Sequence, residues 1–392
     1  MAPGNHDNDV NNVVSSHSFM EETTTSKRQK PANTIGTLTS PPPLPSLPLD
    51  LVAEILCRLP VKLLLQFRCV CKSFKSLISD HKFGKKHLQL STKRHHLLVS
   101  TTNNLGELLL FDSPIPSDFS FSTITHTKLN YPNCLKIGYT PPALGCSRSC
   151  DGILCFTINN GPAVLWNPSI RTFKILPPLD DKHLSAYSFG YDNLINNYKI
   201  VALSLCKDKT EVSVHTLGTY SWIKIHDFPY TSPLCGSGIF VNGNVNWLAL
   251  DGVTSSCVIV SLDLTKESYQ KLLPPNMEMD HWTTLGVLKD CLCIFASNDV
   301  FLNVWAMKEY GNVESWTKSY HIPHKEFHGL FAYTYENEND QLLMDFNELG
   351  HYSLKLVVYD FKSGTLKTHE IQSLRYDMEP EVYIESLISP CF

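Results

Sequence analysis

The spacing of apolar residues divides the chain into three parts. Residues 1–46 are polar, with few apolar side chains, and they close on a proline run; such a segment cannot bury enough surface to offset its ordering entropy. We therefore predict a disordered tail over residues 1–43. Residues 44–88 place apolar side chains at helical spacing. From about residue 95, short apolar runs alternate with turn residues, as in β-strands.

Residues 44–88 are predicted to form a small module of three helices. Asp50 can begin the first helix, and Pro60 suits the first turn of the second. A unit of about 40 residues that is so rich in leucine cannot cover its own apolar surface, so we expect it to need a partner. We expect one apolar face on each helix: it comprises Leu51, Ile55, Leu56 and Leu59 in the first helix, Leu64 and Phe67 in the second, and Val70, Phe74, Leu77 and Ile78 on one side of the third.

A unit of about 50 residues recurs in the β-type part of the chain. In each copy an apolar strand leads into a polar turn, and a bulky residue then precedes a basic or polar one. This period is typical of kelch-like propeller blades, each of four strands. A weaker sixth copy runs from Leu108 to Phe121. The bulky residues of the other five, 49, 47, 47 and 50 residues apart, are Phe173, Trp222, Tyr269, Trp316 and Leu366.

The repeat predicts a multidomain, mainly β protein in which a propeller of about six blades occupies residues 95–392. An irregular array of β-sandwiches would give a similar strand pattern. Strands near Leu97–Val99 and Tyr383–Ile388 can share one blade and so close the ring, which removes exposed sheet edges. Most tryptophans are expected in the core between blades, whereas Tyr230 and Trp282 are candidates for a recognition face.

Charge and composition narrow the classes of partner. The formal net charge of the chain is −5, which gives no reason to expect nucleic acid or an anionic membrane. Residues 47–88 differ, with eight Lys/Arg against three Asp/Glu, so an acidic partner suits them. We find no apolar run of membrane-spanning length and no secretory signal, and the 13 scattered cysteines are typical of reduced thiols. A cytoplasmic or nuclear location follows; Lys27-Arg28-Gln29-Lys30 is a possible import signal or simply a solvated charge cluster.

Catalytic and metal-binding patterns are weak. His321, His324 and His328 have ligand-like spacing, but Pro323 interrupts the run, so we expect an exposed loop between blades. His95 and His96 are expected to open a strand. No phosphate-binding loop, nucleophile elbow or distinctive reactive cysteine is present in the sequence. We therefore predict a non-catalytic protein with no cofactor and no metal.

The helical module resembles a known family. Its sequence runs LPLDLVAEILCRLPVK over residues 47–62 and FRCVCKSF over residues 67–74, and it is similar to the plant F-box. Further motifs resemble the F-box-associated domain (kelch-like, type 1) of F-box/kelch-repeat and S-locus F-box proteins: SCDGILC (149–155), LWNPS (165–169), FGYD (189–192), WAMKEY (305–310) and SWTK (315–318).

The resemblance implies an adaptor of an SCF-type ubiquitin ligase. The F-box would dock on the Skp-type linker and through it on a cullin, and the β-domain would recruit an unknown target protein. Alternatives are an F-box protein acting outside a ligase as a scaffold, or a pollen S-locus-type recognition factor. By motif, the linker-binding residues would be Leu47, Pro48, Leu51, Ile55, Leu59, Pro60, Leu64, Val70 and Phe74.

Three positions of this chain depart from the usual plant F-box pattern. Leu63 stands where a small polar residue is common, Gln66 where Arg is common, and Phe74 where Trp is common. Because Phe keeps the aromatic bulk and loses only a hydrogen-bond donor, we expect weakened docking at most.

Overall fold

The computed structural model describes most of the chain from Leu47 onward. The predicted tail, residues 1–43, lies outside the described residues. These are 47–102, 108–117, 119, 127–130, 144–158, 161–179, 184–234, 237–277, 282–298, 300–323, 329–337, 339–348, 353–375 and 380–391.

The helical module has four short helices and not three. They are α1 (Leu49–Leu56), α2 (Val61–Phe67), α3 (Lys72–Ile78) and α4 (His81–Leu90). The fourth helix begins where the Asp80 carboxylate accepts the backbone N–H groups of Lys82 and Phe83, which is an ordinary N-cap. It was missed because His81–Leu90 contains a glycine and few apolar residues among many polar and basic ones.

The first helix also differs from the prediction. It begins at Leu49 after Pro48, and Asp50 lies inside its first turn, where its charge favours the helix N-terminus. Leu56 is buried, whereas Leu51 and Ile55 point outward and are each about half exposed. The predicted single apolar face is therefore wrong: α1 is apolar on two faces, and within the described part of the chain only one of them is buried.

The described strands form six sheets of four antiparallel strands. Blade 1 comprises β1 (His95–Thr102), β2 (Leu108–Pro114), β3 (Thr127–Leu129) and β24 (Glu381–Ile384). Blade 2 comprises β4 (Leu144–Cys150), β5 (Ile153–Ile158), β6 (Ala163–Asn167) and β7 (Thr172–Ile175). Blade 3 comprises β8 (Leu184–Asp192), β9 (Asn197–Cys206), β10 (Lys209–Thr216) and β11 (Ile223–Lys224).

The second half of the ring repeats this arrangement. Blade 4 comprises β12 (Ile239–Val241), β13 (Asn244–Leu250), β14 (Cys257–Asp263) and β15 (Ser268–Leu272). Blade 5 comprises β16 (Trp282–Leu288), β17 (Cys291–Ser297), β18 (Phe301–Met307) and β19 (Trp316–Pro323). Blade 6 comprises β20 (Gly329–Glu336), β21 (Gln341–Glu348), β22 (Ser353–Asp360) and β23 (Thr365–Arg375).

The six sheets stand around a common axis as a closed propeller. The inner strands β24, β4, β8, β12, β16 and β20 contact one another in turn around the ring. Six apolar clusters fill the spaces between neighbouring blades, and Trp166, Trp247 and Trp316 are buried in three of them. The predicted six-bladed, mainly β architecture and the core position of these tryptophans are confirmed.

The sequence repeat corresponds to the blades. Phe173, Tyr269, Trp316 and Leu366 each lie at or beside the beginning of the outermost strand of a blade, and Trp222 immediately precedes β11. Phe121, the predicted end of the weak sixth copy, lies outside the described residues. The outermost strand of blade 1 is β3, which follows Phe121 in sequence.

The first and last strands close the ring, as predicted. β1 pairs with β24, with Leu97 opposite Val382. The C-terminal strand is shorter than expected and ends at Ile384. Residues 385–391 therefore leave the sheet.

A buried charge cluster joins the two ends of the propeller. His96 Nδ1 lies 2.8 Å from Asp112 Oδ1, and its Nε2 lies 3.5 Å from Glu385 Oε1. The Tyr383 hydroxyl donates to the same Asp112 oxygen at 2.8 Å. Burial lowers the pKa of His96, but its hydrogen bonds to the two carboxylates outweigh that effect and raise the pKa to about 9.

This cluster makes stability depend on pH in a defined direction. Because the folded pKa of His96 lies above its unfolded value of about 6.5, its contribution is complete below pH 6.5 and is lost as pH rises to 9. The loss is of the order of 3 kcal/mol at most. Thermal unfolding from pH 6.5 to 9.5 should show a steeper fall for the wild type than for His96→Gln. Parallel curves for the two proteins would contradict the assignment.

Candidate functional site

Five aliphatic side chains in the part of the helical module from α1 to the turn before α3 are exposed. Leu49 and Val70 are about two-thirds exposed, and the other three lie between 41% and 55%. They come from α1, from α2 and from the turn before α3. We call them the exposed aliphatic set: Leu49, Leu51, Ile55, Leu63 and Val70. Leu47 and Pro48, which precede α1, are exposed as well.

The interior of the module is complete without this set. Its core consists of Leu56, Cys57, Leu64, Ile78 and Phe83, all of them buried. Around the core pack Val52, Ala53, Leu59, Phe67, Phe74, Leu77 and Leu387. Exposed apolar side chains outside a closed core are typical of a protein–protein contact.

The nine predicted linker-binding residues do not share one environment. Leu47, Pro48, Leu51, Ile55 and Val70 are exposed, and Leu59, Pro60 and Phe74 are half-buried. Leu64 is fully buried in the module's own core, so its assignment to a docking surface is corrected. Phe74 packs edge-on against Phe67 with ring centroids 6.1 Å apart, which gives it a structural role as well.

Leu49 and Leu63 are exposed residues that the sequence reasoning left out. The signal for Leu63 was present, because an apolar residue stood where the family pattern has a small polar one. Leu49 was passed over because the helix was started one residue late, at Asp50.

Basic side chains accompany the exposed aliphatic set. Lys86 pairs with Glu54 on the module itself, and Lys85 turns toward the propeller. Arg58, Lys62, Lys72, Lys75 and Lys82 are exposed. Exposed aliphatic residues on a module with exposed basic side chains suit a partner that offers both apolar and acidic residues.

The helical module lies at one end of the propeller ring. Lys85 Nζ lies 3.7 Å from Asp151 Oδ2 in the turn between β4 and β5, and 3.5 Å from the ring centre of Tyr191 at the end of β8. We call this end, which carries the turns between the first and second strands of blades 2–5, the proximal face. The opposite end, with the turns between the second and third strands of blades 3 and 4, is the distal face.

The distal ends of blades 3 and 4 carry a second group of exposed aliphatic residues. The segment between the blades runs beside both, since Leu234 N–H donates to Leu248 O and Thr210 Oγ1 donates to Thr231 O. Nearby charges are paired, as in Lys209–Asp227 at 3.0 Å and Lys271–Asp251 at 2.9 Å. The group consists of Leu205, Leu234, Leu250, Val253 and Leu273.

Of the two residues predicted for a recognition face, Tyr230 and Trp282, the structure describes the side chain of only the first. Tyr230 is half-buried and packs on the core between blades 3 and 4. The side chain of Trp282 lies outside the described residues. Trp222 and Trp305 are half-buried against interblade cores, as expected for structural aromatics.

A cavity of about 520 Å³ lies inside the ring of inner strands. Its lining charges oppose one another: Arg148 lies 3.7 Å from Glu381, and Lys289 lies 2.9 Å from Glu336. In the described part of the chain, no cluster of three His, Cys, Asp or Glu side chains is arranged to hold a metal ion. The cavity therefore presents a polar lining whose charges are largely balanced.

The candidate chemical groups have structural partners. His321 lies within β19 and not in a loop, with its Nδ1 2.8 Å from Asn303 Oδ1; His324 and His328 lie outside the described residues. His95 opens β1, as predicted. Burial raises the pKa of Cys155 and of Cys293 to about 12, so neither thiol is a nucleophile at neutral pH. None of the described helices is long and apolar enough to cross a membrane.

Family models match both parts of the chain. The F-box domain matches residues 44–86, and the F-box associated beta propeller domain matches residues 126–389. An F-box/kelch-repeat protein of Arabidopsis thaliana is 29% identical over 368 residues, which is 88% of this chain and 96% of the relative. The F-box protein CPR1 of the same plant is 27% identical over 390 residues, an alignment that covers 88% of this chain and 89% of the CPR1 chain.

Proposed function

Because the chain belongs to the F-box proteins that carry an F-box-associated β-propeller domain, we propose that it is the substrate-recognition adaptor of an SCF-type ubiquitin ligase. The helical module docks on the Skp-type linker, and through it on a cullin, while the propeller holds the target protein. The observation that carries this proposal is the exposed aliphatic set on a module whose own core is already closed.

The adaptor contributes proximity to the reaction. Holding a target beside a charged conjugating enzyme makes an otherwise bimolecular transfer effectively unimolecular. F-box proteins are generally non-catalytic adaptors, and this role needs no reactive group on the chain. The distal face points away from the helical module, so a target bound there leaves the linker-binding residues accessible.

Reconstitution tests the proposal. The purified full-length chain is mixed with a plant Skp-type linker and a cullin, with an established F-box protein as the positive control, and the complex is followed by size-exclusion chromatography. We expect co-elution at equal stoichiometry. If the folded chain fails to bind the linker under conditions in which the control binds, the adaptor function is excluded. Binding without ubiquitin transfer to any propeller-bound protein would instead indicate a scaffold.

A further inference from the structure

The C-terminal residues 385–391, which we call the strap, contact both parts of the molecule. Leu387 packs against the core of the helical module. Its neighbour Ile388 is buried in the apolar cluster between blades 2 and 3. Adjacent residues of one extended segment are thus inserted into two different cores.

Buried hydrogen bonds hold the strap to blade 2. The Asn167 side-chain amide donates to Ser386 O at 3.1 Å, to Ser386 Oγ at 3.0 Å and to Ile388 O at 2.8 Å. Asn167 and Ser386 are both fully buried. Since unpaired polar groups are costly in such surroundings, these bonds specify one position for the strap.

The strap also ties down the connection between α4 and β1. The Glu385 backbone N–H donates to Arg94 O at 2.9 Å, and the Glu385 carboxylate lies 4.0 Å from the Arg94 guanidinium. The same carboxylate lies 3.5 Å from His96 Nε2. The beginning of the strap therefore restrains the residues about which the module would turn.

Helix α4 lies against the strap and the propeller together. A methyl group built on Gly84 would lie 3.4 Å from Ile388 Cδ1, which is close packing. Leu88 packs on the same cluster as Ile388, and Lys85 lies over the Tyr191 ring. The strap fills the angle between α4 and blade 2.

We propose that residues 385–391 fix the orientation of the F-box on the propeller, so that a bound target stays at a set position relative to the rest of the ligase. The inference rests on the proposed function for its consequence, but its structural part can be tested separately. Releasing the strap leaves linker binding intact and lets the joint at residues 91–94 open, because the exposed linker-binding side chains lie elsewhere on the module. Limited proteolysis measures such opening directly.

Trypsin cleavage after Lys93 and Arg94, both exposed, is the readout. We expect Leu387→Ala to raise the cleavage rate at this joint about tenfold, since a lost apolar contact changes local opening by about that factor. Ser389→Ala is the matched control within the strap, because the Ser389 hydroxyl bonds only to Cys391 among the partners described. Its cleavage rate should equal that of the wild type.

A pair of glycine variants tests the strap without touching the module. A methyl group on Gly152 would lie 2.4 Å from Ile384 O and 2.5 Å from Ser386 Oγ, whereas one on Gly243 meets nothing within 4 Å. Both glycines have the same φ of 79°, so both alanine variants place a side chain in the left-handed region of φ. Only Gly152→Ala should displace the strap and accelerate cleavage at the joint.

The outcomes separate the strap from the adaptor function. Faster cleavage in Leu387→Ala and Gly152→Ala, with linker affinity unchanged, supports the strap. Cleavage at control rates in both variants overturns it. If Leu387→Ala also loses linker binding, the helical module itself has been damaged and Gly152→Ala decides. A wild type that does not bind the linker removes the proposed function, while the cleavage rates still report on the strap.

Discussion

Alanine at Leu51 and alanine at Ile55 should each weaken binding to a Skp-type linker about thirtyfold, that is, by about 2 kcal/mol. Both side chains are about half exposed on α1, outside the closed core of the module, so their apolar surface is available for burial against a partner. Alanine is the best helix former, so neither change should unfold α1. Isothermal titration or surface plasmon resonance with the purified linker measures the effect.

A matched control is available on the distal face. Leu250 is 50% exposed and Leu51 is 51% exposed, so Leu250→Ala removes a similar side chain without touching the module. Its affinity for the linker should be unchanged. Leu59 and Pro60 are less informative, because Leu59 packs on the module core and Pro60 is the N-cap residue of α2. Wild-type affinity in both Leu51→Ala and Ile55→Ala would show that the linker, if it binds, uses another surface.

Replacing Lys199 with methionine should destabilise the propeller by about 3–5 kcal/mol. Lys199 lies between blades 3 and 4, 3.1 Å from Asp192 Oδ2 and 2.9 Å from Glu267 Oε1, and it donates to Leu264 O at 2.6 Å. Burial alone would raise the pKa of Asp192, but hydrogen bonds from Thr265 and Lys199 hold it below its usual range. Without Lys199, a nearly inaccessible carboxylate loses its counter-charge.

Urea unfolding measures the loss of free energy of unfolding in Lys199→Met. Two further variants show whether the loss comes from the buried charge. Lys266→Met removes a lysine whose side chain is 76% exposed and lies 3.4 Å from Asp263, so its effect should stay within about 0.5 kcal/mol. Adding Asp192→Asn to Lys199→Met should recover part of the stability, because the uncompensated charge is then gone. A Lys199→Met protein as stable as Lys266→Met would show that the ion pair does not hold the two blades together.

The helical module shows where prediction from the sequence stops. The pattern located its apolar residues, yet it assigned Leu51, Ile55 and Leu56 to one face. Packing separates them: Leu56 enters the core, while Leu51 and Ile55, four residues apart, share the outer face. Leu64 was misassigned for the same reason. Helical spacing alone does not show whether a leucine packs in the module core or lies on its exposed surface.

The propeller was predictable because its information is local and repeated. Each blade is a run of antiparallel strands joined by turns, so the period of about 50 residues corresponds to the length of one blade. The bulky residues at Phe173, Tyr269 and Trp316 recur at the outermost strands, and the pairing of the two chain ends follows from the incomplete first blade.

By itself, the sequence determined that this protein joins a leucine-rich helical module to a β-domain with a repeat of about 50 residues, since helical spacing and a regular repeat depend on residues close together in the chain. The tertiary structure alone decided which leucines face outward and that residues 385–391 insert between the module and blade 2. Those contacts join residues far apart in the chain. Several side chains of the same kind could make each contact by their chemistry, so the contacts are known only once the fold is packed.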